Sequence, residues 1–388
     1  MRVGVLVGSL SISAGGSYTY SMNIVNYLEL NGLKNQDFVL ICGPKEFEML
    51  NTKFPGSVRV YKPHYQSRLF RVAQYIRALI ELSVTRKPLS LENIQNWNIL
   101  KVVDNLSLDL IWSIEPLGFP FDIPYVTTVW DLEHRNKPFF PEVSRNGEWE
   151  RRESRYSKVL GKATFIVTGT HVGKQEIVNL YRVNPERVIV APFPAHLRFR
   201  PVLSQRNPNL IFYPAQFWPH KNHANLVEAF KLSCVIEPEL KLLLVGSDKG
   251  RQTEIRRLVN DLGLNSNVEF LGTISNFELE NLYHTASLMI FPSFFGPDNL
   301  PPLEAISFGC PVAASDHPGS REQFKNGIPL FDPTDIAGMS QIISDRRSLQ
   351  ISLDFQERVL DSSSIDSFFS TVEQHLNRFA KIARNFNR

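Results

Sequence analysis

The chain has 388 residues, 43% apolar and 21% charged, a composition that excludes a largely disordered chain and leaves room for two or three domains of about 150 residues each. Its 42 basic and 39 acidic residues give a net charge of +3, which is too balanced to indicate nucleic-acid binding. The three scattered cysteines argue against a disulfide framework or a zinc site, and neither a secretory signal nor an apolar run of about 18 residues is present, so we expect a soluble cytoplasmic protein.

Short apolar runs in the first half of the chain predict buried strands. These runs lie at 2–8, 37–43, 57–63, 108–114, 125–131 and 164–169. Apolar residues with helical spacing predict helices at 20–28 and 68–84, and arginines on the polar side of the second helix make it basic. Because strands alternate with helices, we predict a parallel sheet with helices on both faces.

The same pattern begins again in the second half. Strands are predicted at 209–215, 240–247, 267–274, 287–293 and 311–316, with helices at 224–230, 253–262, 278–286 and 301–308. Prolines between 192 and 208 mark a linker, and the chain is predicted to end in a helix over 365–386. We therefore predict an α/β protein with two Rossmann-like domains facing across a cleft, at 1–197 and 198–363, and a segment 364–388 that returns toward the first domain.

Four segments, in order and spacing, resemble the family-4 retaining glycosyltransferases, also described as glycosyl transferases group 1. They are 127–142, 212–230, 242–293 and 291–316, the last reading FPSFFGPDNLPPLEAISFGCPVAASD. The resemblance is strong over 209–332 and looser before residue 120. It implies the two-domain fold called GT-B and a role in polysaccharide biosynthesis. The implied reaction moves a hexose from a nucleoside diphosphate sugar to a hydroxyl of a glycan or lipid-linked acceptor.

The loop 294–300 follows a predicted strand and precedes a predicted helix, which is where open α/β sheets bind anions. Pro301 and Pro302 have no N–H group, so we expect the N–H groups of Asn299 and Leu300 to meet the phosphates of the donor. Without the resemblance, the two prolines would indicate only an ordinary helix start.

The resemblance implies that Lys221 binds the leaving diphosphate and that Glu304 binds the ribose hydroxyls. Taken alone, Lys221 would be a solvated loop lysine and Glu304 a carboxylate in a favourable position near a helix N-terminus. Gln216 stands where the family usually has an arginine or similar polar residue, so one positive charge is missing. Backbone groups at Gly272, Thr273 and Ile274 are expected to bind the nucleotide base.

Two positions depart from the family pattern. Gly296 stands eight residues before Glu304, where the family has a glutamate near the sugar, and Asp298 lies two residues further on. Trp130 stands where the family commonly has a histidine. Either His134 replaces that imidazole in space, or Trp130 marks a subgroup with a different acceptor.

In the first half, the resemblance makes Asp131 and His134 catalytic candidates, whereas alone they would be a turn aspartate and a surface histidine. Gly15 and Gly16 match the family's first loop, which approaches donor and acceptor, although a glycine pair alone indicates a turn equally well. The basic helix at 68–84 is either a solvated face or a peripheral contact with an anionic membrane or lipid diphosphate.

A retaining, metal-independent hexosyltransferase without a cofactor is the function that the sequence favours. No DxD-type motif is placed at the cleft, and a lysine with a helix N-terminus can neutralise a diphosphate as a metal would. Two alternatives stay open: a sugar-nucleotide-binding subunit without turnover, and a sugar-nucleotide epimerase of the same fold, for which we find no acid–base pair.

Overall fold

The computed structural model describes residues 1–8, 10, 15–53, 60–61, 103–118, 120–195, 197 and 206–386. Its strands are β1 (Arg2–Leu6), β2 (Asp37–Ile41), β3 (Val60–Tyr61), β4 (Leu110–Ser113), β5 (Tyr125–Thr128), β6 (Phe165–Thr168), β7 (Val188–Val190), β8 (Asn207–Pro214), β9 (Lys241–Val245), β10 (Val268–Gly272), β11 (Ala286–Phe291), β12 (Val312–Ser315) and β13 (Leu330–Phe331). The predicted basic helix at 68–84 lies outside the described residues.

Helices connect these strands. They are α1 (Gly16–Asn31), α2 (Pro44–Lys53), α3 (Glu133–Asn136), α4 (Pro141–Ser144), α5 (Glu148–Val159), α6 (His171–Tyr181), α7 (His223–Ile236), α8 (Gln252–Asp261), α9 (Asn276–Thr285), α10 (Leu300–Ser307), α11 (Pro318–Phe324), α12 (Ile336–Asp345), α13 (Leu353–Ser362) and α14 (Ile365–Phe386). Within the part of the chain that the structure describes, each predicted helix overlaps one of these.

The described strands form two parallel sheets. The first has the order β3-β2-β1-β4-β5-β6-β7 and the second the order β10-β9-β8-β11-β12-β13. Strands such as β4 and β11 are buried along their whole length, because helices cover both faces of a parallel sheet. In each sheet the strand order reverses, next to β1 and next to β8, and a crevice at the carboxyl ends of the strands is expected there.

Every strand predicted from the sequence overlaps a strand of the structure. Two strands were not predicted, β7 with three residues and β13 with two, because runs this short show no period. Before residue 333, helices α2 to α6 and α11 were also missed. Of these, α5 is rich in charged residues and buries only Tyr156 and Val159.

The last helix, α14, crosses back and packs against the first sheet. Phe368, Phe369 and Leu376 are fully buried in the same apolar cluster as Trp112. The ring centroids of Phe368 and Trp112 are 6.3 Å apart. Each buried phenylalanine contributes about 1.5–3 kcal/mol to folding, so this contact ties the end of the chain to its first half.

Candidate active site

Loops that follow neighbouring strands of the second sheet meet at its carboxyl edge. The Gly246 N–H donates a hydrogen bond of 2.8 Å to the Gly272 carbonyl, which joins the loops after β9 and β10. The Phe294 N–H donates a bond of 2.8 Å to the His220 carbonyl, which joins the loops after β11 and β8. These loops carry most of the predicted donor-binding residues, so the fold gathers them at one edge.

Lys221 ends a single turn of 3-10 helix just before α7. The Tyr213 hydroxyl donates to its carbonyl at 2.8 Å, and its ammonium lies 5.0 Å from the centroid of the Phe291 ring. Burial lowers the pKa of Lys221 to about 8, while the carboxylates of Glu142 and Asp131 oppose this shift. A partly desolvated cation at the carboxyl edge of a parallel sheet is well placed to bind an anion.

The loop 294–300 is held in a bent form by Gly296 and Asn299. Gly296 has a φ of +141°, and its carbonyl accepts a bond of 3.0 Å from the Asn299 amide. The backbone N–H of Asn299 donates to Gln323 Oε1 at 3.1 Å. The predicted contact between this N–H and a phosphate would therefore require the Gln323 side chain to move aside.

Gly296→Ala is expected to destabilise the protein by about 1–3 kcal/mol, because a side chain at a positive φ is strained. In addition, a Cβ atom at this position would lie 2.5 Å from Asn299 Oδ1. Thermal unfolding measures the effect. The matched control is Gly161→Ala, whose Cβ atom would meet nothing within 4 Å. Equal unfolding temperatures for the two variants would show that the loop tolerates a side chain.

Asp298 reaches from this loop to the first half of the chain. Its carboxylate lies against Gly169, so close that a Cβ atom there would be 2.2 Å from Asp298 Oδ2. Among the described residues, Oδ2 is buried without a hydrogen-bond partner. Burial raises the pKa of Asp298 to about 8, and the nearby Glu322 carboxylate adds to the shift. Asp298 is therefore mainly protonated at neutral pH.

Glu304 lies in α10, and its carboxylate is oriented by a tyrosine. The hydroxyl of the fully buried Tyr283 donates to Glu304 Oε2 at 3.0 Å. Burial raises the pKa of Tyr283 well above its usual range, and the Glu304 carboxylate adds to this. The tyrosine therefore stays a hydrogen-bond donor and fixes the direction of the glutamate.

Gln216, in the position where a positive charge is missing, is bonded to its neighbours. The side-chain Nε2 of Gln216 donates to Ser247 Oγ at 3.1 Å, and its Oε1 accepts from the ring nitrogen of Trp218 at 3.0 Å. Gly15, with a φ of +67°, approaches it so closely that a Cβ atom would lie 3.1 Å from Gln216 Nε2. The next residue, Gly16, has open space around it. The first loop of the chain thus reaches the loop that follows β8.

The predicted base-binding segment lies at the same edge of the second sheet. Gly272 ends β10 with a φ of +65° and has open space at its Cα. Thr273 is exposed, and Ile274 packs against the core of the second half.

Asp131 and His134 make hydrogen bonds to different partners. Asp131 Oδ1 accepts a bond of 2.8 Å from Arg152, and its charge acts on Lys221. The His134 ring is fully buried, with Nε2 3.2 Å from the Tyr181 hydroxyl and 3.4 Å from Glu153 Oε2. Burial lowers the pKa of His134. These contacts give His134 a packing role inside the first half, and none of them joins it to Lys221.

Two further residues make apolar contacts at the cleft. Leu300 packs against the cores of both halves. Trp130 packs against the core of the first half, with its ring centroid 6.2 Å from that of Tyr20 in an edge-to-face arrangement. The residue in place of the family's histidine thus contributes to packing.

Several contacts across the cleft involve residues that the sequence analysis did not select. The ammonium of Lys137 donates to the Phe294 carbonyl at 2.6 Å. The Glu322 carboxylate accepts from the N–H groups of His171 and Val172, at 2.6 and 2.8 Å, at the start of α6. Glu142 contacts His220. No local pattern could have indicated them, because their partners lie far away along the chain.

Comparison with known proteins agrees with the resemblance. Residues 197–349 match the model of the family described as glycosyl transferases group 1. The O-antigen chain mannosyltransferase RfbU of Salmonella typhimurium is 27% identical over 170 residues, which are 44% of this chain and 47% of that protein. The O-antigen chain mannosyltransferase B of Escherichia coli is 23% identical over 213 residues, which are 52% of this chain and 56% of that protein. The chain thus spans about half the length of these curated relatives.

Solved structures share the whole architecture. Anabaena Alr3699/HepE in complex with UDP and glucose covers 97% of this chain and 100% of its own, with a TM-score of 0.67 and 16% identity. A TarM variant from S. aureus, in complex with fondaparinux, α-GlcNAc-glycerol and UDP, covers 97% and 99%, with a TM-score of 0.70 and 13% identity. The fold is GT-B, as predicted.

The described residues contain neither a membrane-spanning helix nor a cluster of metal-ligating side chains. No described helix combines the length and the apolar composition that crossing a bilayer would require. Within the same part of the chain, no three or more His, Cys, Asp or Glu side chains are grouped so that they could hold a metal ion.

Proposed function

We propose that the protein is a retaining glycosyltransferase that moves a hexose from a nucleoside diphosphate sugar to a hydroxyl of a glycan or lipid-linked acceptor. Lys221 carries this proposal. It is a partly desolvated cation at the carboxyl edge of the second sheet, inside the segment 197–349 that matches the glycosyltransferase family. Two relatives are named as mannosyltransferases of the O-antigen chain, which supports a growing glycan as the acceptor.

The proposed mechanism is displacement on one face of the sugar. The acceptor hydroxyl attacks C1 on the face that the diphosphate leaves, so one C1–O bond forms as the other breaks. The proton of the hydroxyl passes to the leaving phosphate oxygen. The Lys221 ammonium, with the backbone of the loop 294–300, stabilises the negative charge that grows on the diphosphate, and this electrostatic effect supplies most of the acceleration.

Within this proposal each donor group has its own partner. Glu304 accepts hydrogen bonds from the ribose hydroxyls, and the Gly272–Ile274 backbone contacts the base. Gly296 has no side chain and lets the backbone of its loop approach the sugar. Asp131 acts through its charge, which helps to keep Lys221 protonated.

A screen of nucleotide sugars tests whether the protein binds such a donor. UDP-, GDP-, ADP- and dTDP-sugars are added separately, and the unfolding temperature is measured. A ligand at about 100 times its dissociation constant stabilises the folded state by about 2.7 kcal/mol. We expect at least one of the four to raise the unfolding temperature. If none does so at millimolar concentration, the proposal is wrong.

Transfer is expected to continue in EDTA, because a lysine of the protein provides the charge that a metal ion would otherwise supply. The assay follows release of the nucleoside diphosphate from the donor found in the screen, with and without the chelator. Loss of turnover in EDTA that manganese or magnesium restores would show that a metal takes part.

A further inference from the structure

A short segment of the first half docks on the turn that carries Lys221. The segment runs from Lys137 to Glu142. The Lys137 ammonium donates to the Phe294 carbonyl at 2.6 Å, and Phe294 in turn donates its N–H to the His220 carbonyl at 2.8 Å. Glu142 contacts the same turn directly. The residue before Lys221 is therefore held through both of these routes.

A single oxygen of Glu142 holds both the backbone and the ring of His220. Glu142 Oε1 accepts from the His220 N–H at 2.8 Å and lies 2.5 Å from His220 Nδ1. The two side chains are 6% and 13% exposed, so water competes little for these bonds. The His220 ring also stacks on Phe295, with centroids 4.1 Å apart and planes at 13°.

The protonation of His220 follows from its surroundings. Burial lowers the pKa of His220 to about 4, so the ring is neutral at neutral pH. An ionised carboxylate only accepts hydrogen bonds, so Nδ1 must carry the proton of the neutral ring. His220 thus donates twice to Glu142, and Lys221 directly follows a residue whose backbone and ring are both fixed.

The charges around Lys221 come from both halves of the chain. The titratable groups that act on it or feel its charge are Asp131, Glu142, His220, His223 and His317. Burial lowers the pKa values of the three histidines to about 4, 3 and 4, so they are neutral where Lys221 titrates. Two carboxylates from the first half, Asp131 and Glu142, therefore favour its charged form. Of these two, Glu142 is also bonded to the lysine's turn.

We propose that Glu142 is a positioning residue: from the first half of the chain, it fixes the turn of Lys221 and keeps the ammonium charged for the diphosphate of the donor. This inference rests on the proposed function. A residue of the first half thus contributes to the diphosphate site of the second.

Two substitutions separate the effect of charge from the effect of position. Glu142→Gln keeps an oxygen that can accept from the His220 N–H but removes the negative charge. Glu142→Ala removes both. The matched control is Glu150→Gln, which removes the same charge from an exposed position eight residues further along the chain.

The experiment is a calorimetric titration of each protein with UDP-glucose and with GDP-mannose between about pH 6 and 9, the range around the pKa of Lys221. Their diphosphates are diesters and do not titrate in this range, so the pH profile reports on the protein. The wild-type affinity should be constant near pH 6 and fall as the pH rises through about 8, where Lys221 loses its proton. Asp298 in the loop 294–300 titrates in the same range, so the shift of the midpoint in Glu142→Gln, and not the wild-type fall itself, identifies Lys221.

For Glu142→Gln we expect the midpoint of this fall to move about one pH unit lower, since an opposite charge has been removed, with affinity near pH 6 within about threefold of wild type. Glu142→Ala, which also lacks the charge, should show the same lower midpoint and lose about tenfold in affinity already near pH 6, and Glu150→Gln should follow the wild type. A role in folding alone would not move the midpoint. If Glu142→Ala fails to fold, the pH profile of donor affinity for Glu142→Gln still tests whether Glu142 sets the charge of Lys221.

Two outcomes would overturn the inference in distinguishable ways. If the wild type binds but Glu142→Gln has the wild-type midpoint, Glu142 does not set the charge of Lys221. If the wild type binds none of the four nucleotide sugars of the screen at any pH, the proposed function itself fails, and the role of Glu142 falls with it.

Discussion

Replacing Lys221 by alanine is expected to weaken binding of the nucleotide sugar by about 10- to 100-fold and to reduce turnover by about 100-fold or more. A hydrogen bond to a charged group contributes about 1.5–3 kcal/mol, which sets the loss in affinity. The larger loss in turnover is expected because charge grows on the diphosphate as it leaves. The fold should persist, because burial disfavours the charged lysine in the folded state and the substitution removes that cost.

Three measurements check this result: donor titration, initial rate of transfer, and thermal unfolding of the same preparation. The control is Lys381→Ala, which removes a positive charge from an exposed site on α14. Wild-type affinity in Lys221→Ala would contradict the assignment of the diphosphate site. If the unfolding temperature drops in Lys221→Ala but not in Lys381→Ala, Lys221 instead supports the fold.

Glu304→Gln is expected to weaken donor binding by about 10- to 100-fold, whereas Asp298→Asn should change it by less than about threefold. The amide at position 304 can still accept from the Tyr283 hydroxyl, so the loss reflects hydrogen bonds from the ribose to a charged group. Asp298 is already mainly protonated at neutral pH, and an amide closely imitates a protonated carboxyl group. We therefore propose that the sugar hydroxyls are held mainly by the backbone of the loop 296–300.

Titration of both variants with the same donor decides between the two carboxylates. Tyr283→Phe serves as a control for the position of Glu304, and a loss smaller than that of Glu304→Gln is expected from it. If Asp298→Asn abolishes transfer while nucleotide binding survives, Asp298 has taken the place of the glutamate missing at Gly296, and our interpretation of this loop is wrong.

The parts of the fold that could be predicted are those that depend on neighbouring residues in the sequence. Buried strands such as β4 and β11 are continuous apolar runs, and Lys221 and the loop 294–300 follow strands directly. Position relative to a strand end is enough to place such residues at the edge of a parallel sheet. In contrast, β7 and β13 are too short for any pattern to reveal.

The contacts that complete the site could not be predicted, because their partners are distant in sequence. Glu142 and His220 are 78 positions apart, Lys137 and Phe294 are 157 apart, and they meet only when both halves are folded. For His134, the surroundings of a selected residue could not be predicted either. The resemblance made it a catalytic candidate, and its sequence position alone indicated a surface histidine, but it lies in α3 and its ring is buried against Tyr181 and Glu153.

Early-time proton NMR of the reaction tests the central claim most directly. The protein is incubated with UDP-glucose or GDP-mannose, both α-linked donors, and the anomeric signal of the first sugar formed is followed, with water as acceptor where no glycan is supplied. The account predicts turnover and an α product that appears before mutarotation. A β product would contradict retention, and tight binding of the donor without any turnover would show a nucleotide-sugar-binding subunit instead of an enzyme.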